Sequence, residues 1–90
     1  MDGFEWDPLK AAINLAKHKV DFADAALSLG DERAQTIPDP DAQGEARFVT
    51  VAMDPQGRLL VTVYAYAGEN RRIISARKAS RGEGKRYEKP

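Results

Sequence analysis

The sequence contains no cysteine, only one histidine and no long apolar run. The lack of cysteine excludes disulfide bonds and thiolate metal sites, and it is typical of a reducing compartment. One histidine cannot supply the several imidazole ligands of a multi-histidine metal site. No stretch approaches the roughly 18 apolar residues of a membrane helix. The acidic start MDGFEWD is unlike a secretion signal, so we expect a cytoplasmic protein with no cofactor and no membrane partner.

Charge is distributed unevenly along the chain, although the formal net charge is zero. Residues 1–45 hold ten acidic and four basic side chains, whereas residues 46–90 hold four acidic and ten basic ones. This segregation predicts a basic surface that meets phosphate groups or an acidic protein. The alternative is that folding mixes the two halves and cancels the field. Length and composition, with 42% hydrophobic and 31% charged residues, predict one folded domain over residues 1–90.

Two helices are predicted near the N-terminus. Asp7 is suited to cap the first, which continues through Pro8, and Asp21 to cap the second, which ends at Gly30. Helical spacing in the first predicts one apolar stripe, made of Leu9, Ala12, Ile13, Ala16 and Val20. Phe4 and Trp6, just before the first helix, alternate with polar residues and are interpreted as a short edge strand or an apolar lid.

Four strands are predicted after the helices, at residues 34–37, 47–53, 59–66 and 71–77. The short turns between the last three favour an antiparallel meander. Residues 78–88 are charged and contain Gly82 and Gly84, each of which costs about 1 kcal/mol in a helix, so a frayed helix or a mobile tail is expected. The predicted fold is therefore α+β: two N-terminal helices, a sheet of about four antiparallel strands and a short C-terminal helix.

The chemistry available to the chain is that of arginine, lysine, carboxylate and tyrosine side chains. There is no glycine-rich phosphate loop, no nucleophile elbow and no HExxH motif. Strict alternation in residues 71–78 would place Arg71, Ile73, Ser75 and Arg77 on one face of a strand. Arg77, close to Arg81, is then a candidate phosphate ligand. The alternative is that these arginines pair with acidic residues of the N-terminal half.

Four further side chains are weighed as candidates for catalysis. Glu45 and Arg47 suit a base beside a phosphate ligand, or else an exposed ion pair. His18 suits an acid or base, or else a partner of the carbonyl groups at its helix end. Tyr87 suits a proton donor or a surface for base stacking, or else an anchor for the tail.

Several segments, taken in order, resemble the BrnT family of toxins. They are FEWD at residues 4–7, KH at 17–18, IPDPD at 37–41, GRLL at 57–60 and RIISARKA at 72–79. The resemblance covers nearly the whole chain, and the FEWD and RIISARKA segments at this separation are specific together. The tail departs from the family pattern, because Gly82 and Gly84 interrupt what resembles a continuous charged helix in relatives.

The resemblance implies a RelE-like fold and a metal-independent endoribonuclease that arrests growth. It also implies a BrnA-type antitoxin that neutralises the toxin in a two-plus-two complex. The antitoxin would also bind operon DNA, and the toxin would reach that DNA only through the antitoxin. The substrate would be RNA, free or on the ribosome, whose ribose 2′-hydroxyl attacks the adjacent phosphate. The alternative is a catalytically inactive module that engages antitoxin or nucleic acid without cleavage.

Roles within the site are assigned by position. Arg77 and Arg47 are predicted to bind the phosphate and stabilise the transition state, with Arg81 assisting. Glu45 is the candidate base, and Tyr87 or His18 is the candidate acid.

Overall fold

A computed structural model describes residues 2–88. Its elements, in chain order, are β1 Phe4–Glu5, α1 Pro8–His18, α2 Phe22–Ser28, β2 Gln35–Pro38, β3 Phe48–Met53, β4 Leu59–Ala67, β5 Asn70–Lys78 and α3 Arg81–Glu88. The strands form one sheet in the order β1-β5-β4-β3-β2. None of the helices within residues 2–88 is long and apolar enough to cross a lipid bilayer.

The α+β class and the three helices are as predicted, but the sheet has five strands and is mixed. The additional strand, β1, pairs in parallel with β5 through Phe4 opposite Arg71 and Glu5 opposite Arg72, and the remaining pairs are antiparallel. The partner of β1 lies near the other end of the chain, so no local turn in the sequence signals the pairing. The edge-strand interpretation of Phe4 is the one that the structure supports.

Helices α1 and α2 lie against β5 and β4, and the core forms between them. Its fully buried side chains include Val20, Phe22, Leu60 and Ile73, with Trp6 packed edge-on against Phe22. Helix α3 contacts β3 from the opposite face of the sheet, where residues of both elements line one pocket. One face of the sheet therefore carries the core, and α3 covers only part of the other.

The predicted helix starts are confirmed. The Asp7 carboxylate accepts a hydrogen bond from the Leu9 backbone N–H at 2.8 Å, and Asp21 accepts one from Ala23 at 2.9 Å. Helix α1 ends where Lys19 adopts a left-handed conformation with φ 61°, and helix α2 ends at Leu29 in a right-handed one. Gly30 therefore does not provide the left-handed termination that the sequence indicated.

The apolar stripe predicted for α1 faces outward at Leu9, Ala12, Ile13 and Ala16, whereas its fifth residue, Val20, lies beyond the end of the helix and is buried in the core. Leu9 is 69% exposed and Ile13 is 56% exposed, whereas Asn14 is buried. The Asn14 Oδ1 accepts a hydrogen bond from the Ala76 N–H at 3.1 Å, and its Nδ2 donates to Ala76 O at 2.9 Å and to Val20 O at 3.0 Å. Backbone groups at the edge of β5 need polar partners, and Asn14 supplies them.

Arg58 joins three segments that are distant in sequence. Its Nε donates to Asp54 at 2.9 Å, its Nη1 to the carbonyl of Lys19 at 3.0 Å, and its Nη2 lies 3.3 Å from Asp24. The Asp54 side chain is fully buried and also accepts the backbone N–H groups of Gln56 and Arg58 in the β3–β4 turn. One guanidinium thus holds the turn, the end of α1 and the first turn of α2 together.

Helix α3 is formed and packed, and it is neither a frayed helix nor a mobile tail. Ser80 caps it: the Ser80 Oγ accepts the Glu83 N–H at 3.2 Å, and the Glu83 carboxylate accepts the Ser80 N–H at 2.7 Å. This reciprocal pair is a capping box. A Cβ on Gly84 would lie 3.6 Å from the Leu59 side chain, so the helix approaches the sheet closely. These contacts offset the cost of the two glycines.

We predict that Asn14→Asp lowers the free energy of unfolding by about 3 kcal/mol, because an acceptor then faces two carbonyl groups that have lost their donor. Urea denaturation measures the change. Ile13→Ala on the same helix removes an exposed side chain and should cost less than 1 kcal/mol. Equal losses in the two variants would contradict the role given to Asn14.

Candidate functional site

The face of the sheet opposite the core is the main candidate for a functional surface. Register places Val61, Val63 and Ala65 of β4 on this face, since Leu60 and Tyr64 point into the core. Val49 and Val51 of β3 share it, and they line a pocket of about 120 Å³ with Gln35, Ile37 and the α3 residues Glu83 and Arg86. The floor of the surface is therefore apolar, with α3 forming a wall at one end.

A bulge in β5 decides which of its side chains reach this face. Ser75 pairs with Val63 and Ile73 pairs with Tyr64, so Ile74 is the extra residue. Ile73 and Ala76 consequently both point into the core, which strict alternation does not allow. The predicted grouping of Ile73 with Ser75 and Arg77 is wrong for this reason.

The same bulge places Arg72 and Arg77 on the face of the sheet opposite the core, which is called the open face below. Arg77 lies opposite Val61 and Arg72 opposite Ala65, which are four residues apart on one strand. That separation corresponds to about 13 Å between backbone positions. The open face therefore carries a guanidinium towards each end of an apolar floor.

Arg77 is held by the first turn of α3. Its Nη1 and Nη2 each donate to one oxygen of Glu83 at 2.8 Å, and Nη1 also contacts the carbonyl of Lys78 at 3.3 Å. The bond to Arg77 lowers the pKa of Glu83 to about 2, and the same bond raises the pKa of Arg77. Both groups are thus charged at neutral pH, and the ion pair fixes the direction of the guanidinium.

A depression of about 550 Å³ lies beside this ion pair. It is lined by Arg77, Ser80, Gly82, Glu83 and Arg86, which supply two guanidinium groups and one carboxylate. Arg81 begins α3 next to Gly82 and is exposed. The guanidinium that lines the depression with Arg77 is that of Arg86 and not that of Arg81.

At the other end of the open face, Glu45 pairs with Arg72. The Arg72 Nη2 donates to both carboxylate oxygens, at 2.7 and 2.8 Å. Arg47, just before β3, is half-buried, and its Nε is buried with no hydrogen-bond partner within residues 2–88. The structure therefore joins Glu45 to Arg72, while the buried Nε of Arg47 makes no hydrogen bond within residues 2–88.

The remaining two predicted site residues lie elsewhere. His18 lines a groove between α1 and β5 with Lys17 and Ser75, and that groove shares no lining residue with the depression beside Arg77. Tyr87 is buried and donates its hydroxyl to Asp31 at 2.5 Å, with the Arg33 guanidinium 5.1 Å from its ring centre. The bond to Asp31 raises the pKa of Tyr87 and lowers that of Asp31.

Three residues of the open face were not among the sequence candidates. Glu83 had a local signal, since Ser80-Arg81-Gly82-Glu83 fits the capping box pattern and predicts that Glu83 lies at the start of a helix. Arg86 then follows one turn later. Arg72 had no such signal, because its position depends on the bulge at Ile74.

No three or more histidine, aspartate or glutamate side chains within residues 2–88 are placed together as ligands for a metal ion.

Comparisons with known proteins give a matching family and a similar solved structure. A family model described as the ribonuclease toxin BrnT of type II toxin–antitoxin systems matches residues 6–83. No curated protein matches the chain. Among solved structures, the crystal structure of the Brucella abortus ribonuclease toxin BrnT is similar, with a TM-score of 0.68 and 26% sequence identity. That match covers 87% of this chain and 96% of the Brucella chain.

The ion pair between Arg77 and Glu83 predicts a pH dependence. A carboxyl whose pKa falls from 4.5 to about 2 on folding contributes stability above pH 4.5, and this contribution is lost as the pH falls towards 2. Native protein should therefore be more stable than Glu83→Gln at pH 6, and the difference should shrink below pH 4.5. Urea denaturation across this range measures it, with the exposed Glu88→Gln as control. A difference that stays constant down to pH 2.5 would contradict the assignment.

Replacing Tyr87 tests whether its hydroxyl anchors α3. Tyr87→Phe removes a hydrogen bond to a charged acceptor, so we expect the unfolding free energy to fall by about 1–2 kcal/mol. Thermal and urea denaturation measure this loss. Unchanged stability would show that the contact with Asp31 does not hold α3 in place.

Proposed function

The chain belongs to the BrnT family of ribonuclease toxins of type II toxin–antitoxin systems, and from that membership we propose that it cuts RNA on the open face of its sheet. The observation that carries this proposal is the pair of guanidinium groups, Arg72 and Arg77, at the two ends of an apolar floor. Arginines bind phosphate groups through paired hydrogen bonds. The span of about 13 Å suits a short single-stranded segment.

Arg77 is proposed to bind the scissile phosphate. Glu83 occupies the Nη1–Nη2 edge of the guanidinium, but the Nε–H and the outer Nη2–H make no contact within residues 2–88. These two groups form a second edge with the geometry that binds two phosphate oxygens. Glu83 thus leaves Arg77 able to bind phosphate while limiting its rotation, which is the arrangement that stabilises charge developing in a transition state.

The reaction is proposed to need no metal, as in RelE-like enzymes. A base removes the proton of the ribose 2′-hydroxyl, the 2′-oxygen bonds to the adjacent phosphorus, and the 5′-oxygen leaves with a proton from an acid. Glu45 is the candidate base. His18 lines the groove between α1 and β5 and not the depression beside Arg77, so we do not assign it as the acid. Arg47 and Arg81 are proposed as further phosphate ligands. Tyr87 was the other candidate acid; because Asp31 engages its hydroxyl, we assign it the anchoring of α3 instead.

The partners follow from the family. A type II toxin implies an antitoxin, which we propose is of the BrnA type, forms a two-plus-two complex with the toxin and alone contacts the operon DNA. The substrate is proposed to be RNA, free or on the ribosome. Residues 1–90 are proposed to act as a single toxin domain.

The proposal is tested by inducing the native chain and Arg77→Ala to equal abundance in a bacterial host. We expect the native chain to arrest growth with loss of intact messenger RNA, and Arg77→Ala to lower the rate of cleavage at least 100-fold. Lys78→Ala is the matched control, since it removes a neighbouring positive charge from the same strand and should keep full activity.

Two outcomes would contradict the proposal. Full toxicity of a folded Arg77→Ala protein would remove Arg77 from the site. No arrest by the soluble native chain would favour a module that binds antitoxin or nucleic acid without cutting. Circular dichroism of each purified protein confirms that it is folded.

A further inference from the structure

The outer side of α1 carries a surface that the proposed RNA site does not use. It consists of the exposed side chains of Leu9 and Ile13 and an adjoining groove of about 240 Å³ between α1 and β5. Lys10 and Lys17 line the groove from α1, and Ile74 lines it from the bulge of β5. This set of residues is called the α1 groove below.

The apolar part of the α1 groove is a stripe and not a scatter of single residues. Leu9 and Ile13 are one turn apart, and both Ala12 and Ala16 beside them are exposed. The helix has a polar and an apolar side. The contacts of Asn14 with Ala76 and Val20 turn the side that carries Asn14 inward, so the side that carries Leu9 and Ile13 faces outward. A contiguous apolar stripe that the chain itself does not cover marks a surface for another molecule.

The charge beside the stripe is positive. Lys10 and Lys17 line the same groove two turns apart, which is about 10.5 Å along the helix. Neither forms an ion pair within residues 2–88, and no carboxylate of the described chain lines the groove. Arg72 and Arg77 on the open face of the sheet differ from these lysines, because each has a glutamate partner. The two lysines are therefore available to an external acidic group.

The spacing of these features defines the complementary ligand. An α-helix lying along α1 would place a row of apolar side chains against the stripe. Two carboxylates in the adjacent row of that helix would then lie opposite the two lysines. Carboxylates seven residues apart on such a helix match the two-turn separation of Lys10 and Lys17. RNA fits less well, because the stripe is aliphatic and offers no aromatic ring for base stacking.

We propose that the α1 groove binds an acidic amphipathic helix of a protein partner. Apolar contacts with Leu9 and Ile13 supply the affinity, and the two lysines set the register and direction of the bound helix. The proposal does not depend on RNA cleavage, since it shares no residue with the site assigned to that reaction. The protein partner that the family implies is the antitoxin, which makes an acidic helix of that partner the ligand in the cell.

A charge-swap experiment tests the proposal. The probe is a synthetic helix of about 20 residues with a leucine row and two glutamates seven positions apart, and fluorescence anisotropy measures its binding to the full chain. The double variant Lys10→Glu/Lys17→Glu should weaken binding at least tenfold, and a peptide with lysines in place of the glutamates should bind that variant and not the native chain. Ile13→Glu should abolish binding of both peptides.

The controls separate this groove from the other surfaces. Lys85→Glu, on α3, reverses an exposed charge outside the groove and should leave peptide affinity within twofold of native. Arg77→Ala should also leave it unchanged, so a failure of the RNA proposal does not affect this measurement. Circular dichroism shows that each variant is folded.

Three outcomes would overturn the proposal. The first is no peptide binding at millimolar concentration. The second is that Lys10→Glu/Lys17→Glu loses binding to a single-stranded RNA but keeps binding to the peptide. The third is a native dimer that Ile13→Glu converts to a monomer, which would make a second copy of the chain the occupant.

Discussion

The rest of the structure depends on the edge of β5 that extends beyond its short pairing with β1, because the backbone groups on this edge need hydrogen-bond partners. β1 pairs with only two residues of β5, so the backbone at Ala76 has β4 on one side and no strand on the other. Asn14 satisfies both the N–H and the carbonyl of Ala76, and it also binds the carbonyl of Val20. A buried backbone group without a partner costs about 1–3 kcal/mol, and Asn14 satisfies three such groups, which favours its inward position. The orientation of α1, and hence its exposed stripe, follows from this one side chain.

The bulge at Ile74 has a comparable effect on the opposite side of the sheet. By adding one residue to β5, it allows Ile73 and Ala76 both to enter the core and moves Arg72 to the face that Arg77 occupies. The same residue, Ile74, lines the α1 groove. A single irregularity thus contributes to both surfaces, which agrees with the frequent occurrence of bulges next to functional sites.

The basic half of the chain is only partly neutralised by folding. Glu45 pairs with Arg72, and Asp24 and Asp54 hold Arg58, so acidic residues from both halves meet arginines from the second half. These contacts correspond to the internal pairing considered as the alternative from the charge pattern. The two lysines of the α1 groove come from the acidic half, where an excess of acids along the chain gave no hint of a positive surface. Linear charge segregation therefore gave no indication of the α1 groove, whereas the arginines of the open face do come from the basic half of the chain.

The sequence by itself determined the features that depend on residues close together in the chain. The caps at Asp7 and Asp21 form bonds only two residues away, and the strands between short turns lie close to their predicted positions. The capping box at Ser80 was readable in the same way, although the two glycines after it favoured a weaker helix. Order along the chain also carried the family resemblance, which the family model and the similar Brucella structure confirm.

Only the tertiary structure decided what depends on partners far apart in sequence. The inward direction of Asn14 is set by Ala76, the anchoring of Tyr87 by Asp31, and the parallel pairing of β1 by β5. The physical reason is that periodicity shows that a helix or strand has an apolar side, but not which backbone groups elsewhere need a polar partner. Those unpaired groups determine which side of each element turns inward, and with it which charged residues meet at a site.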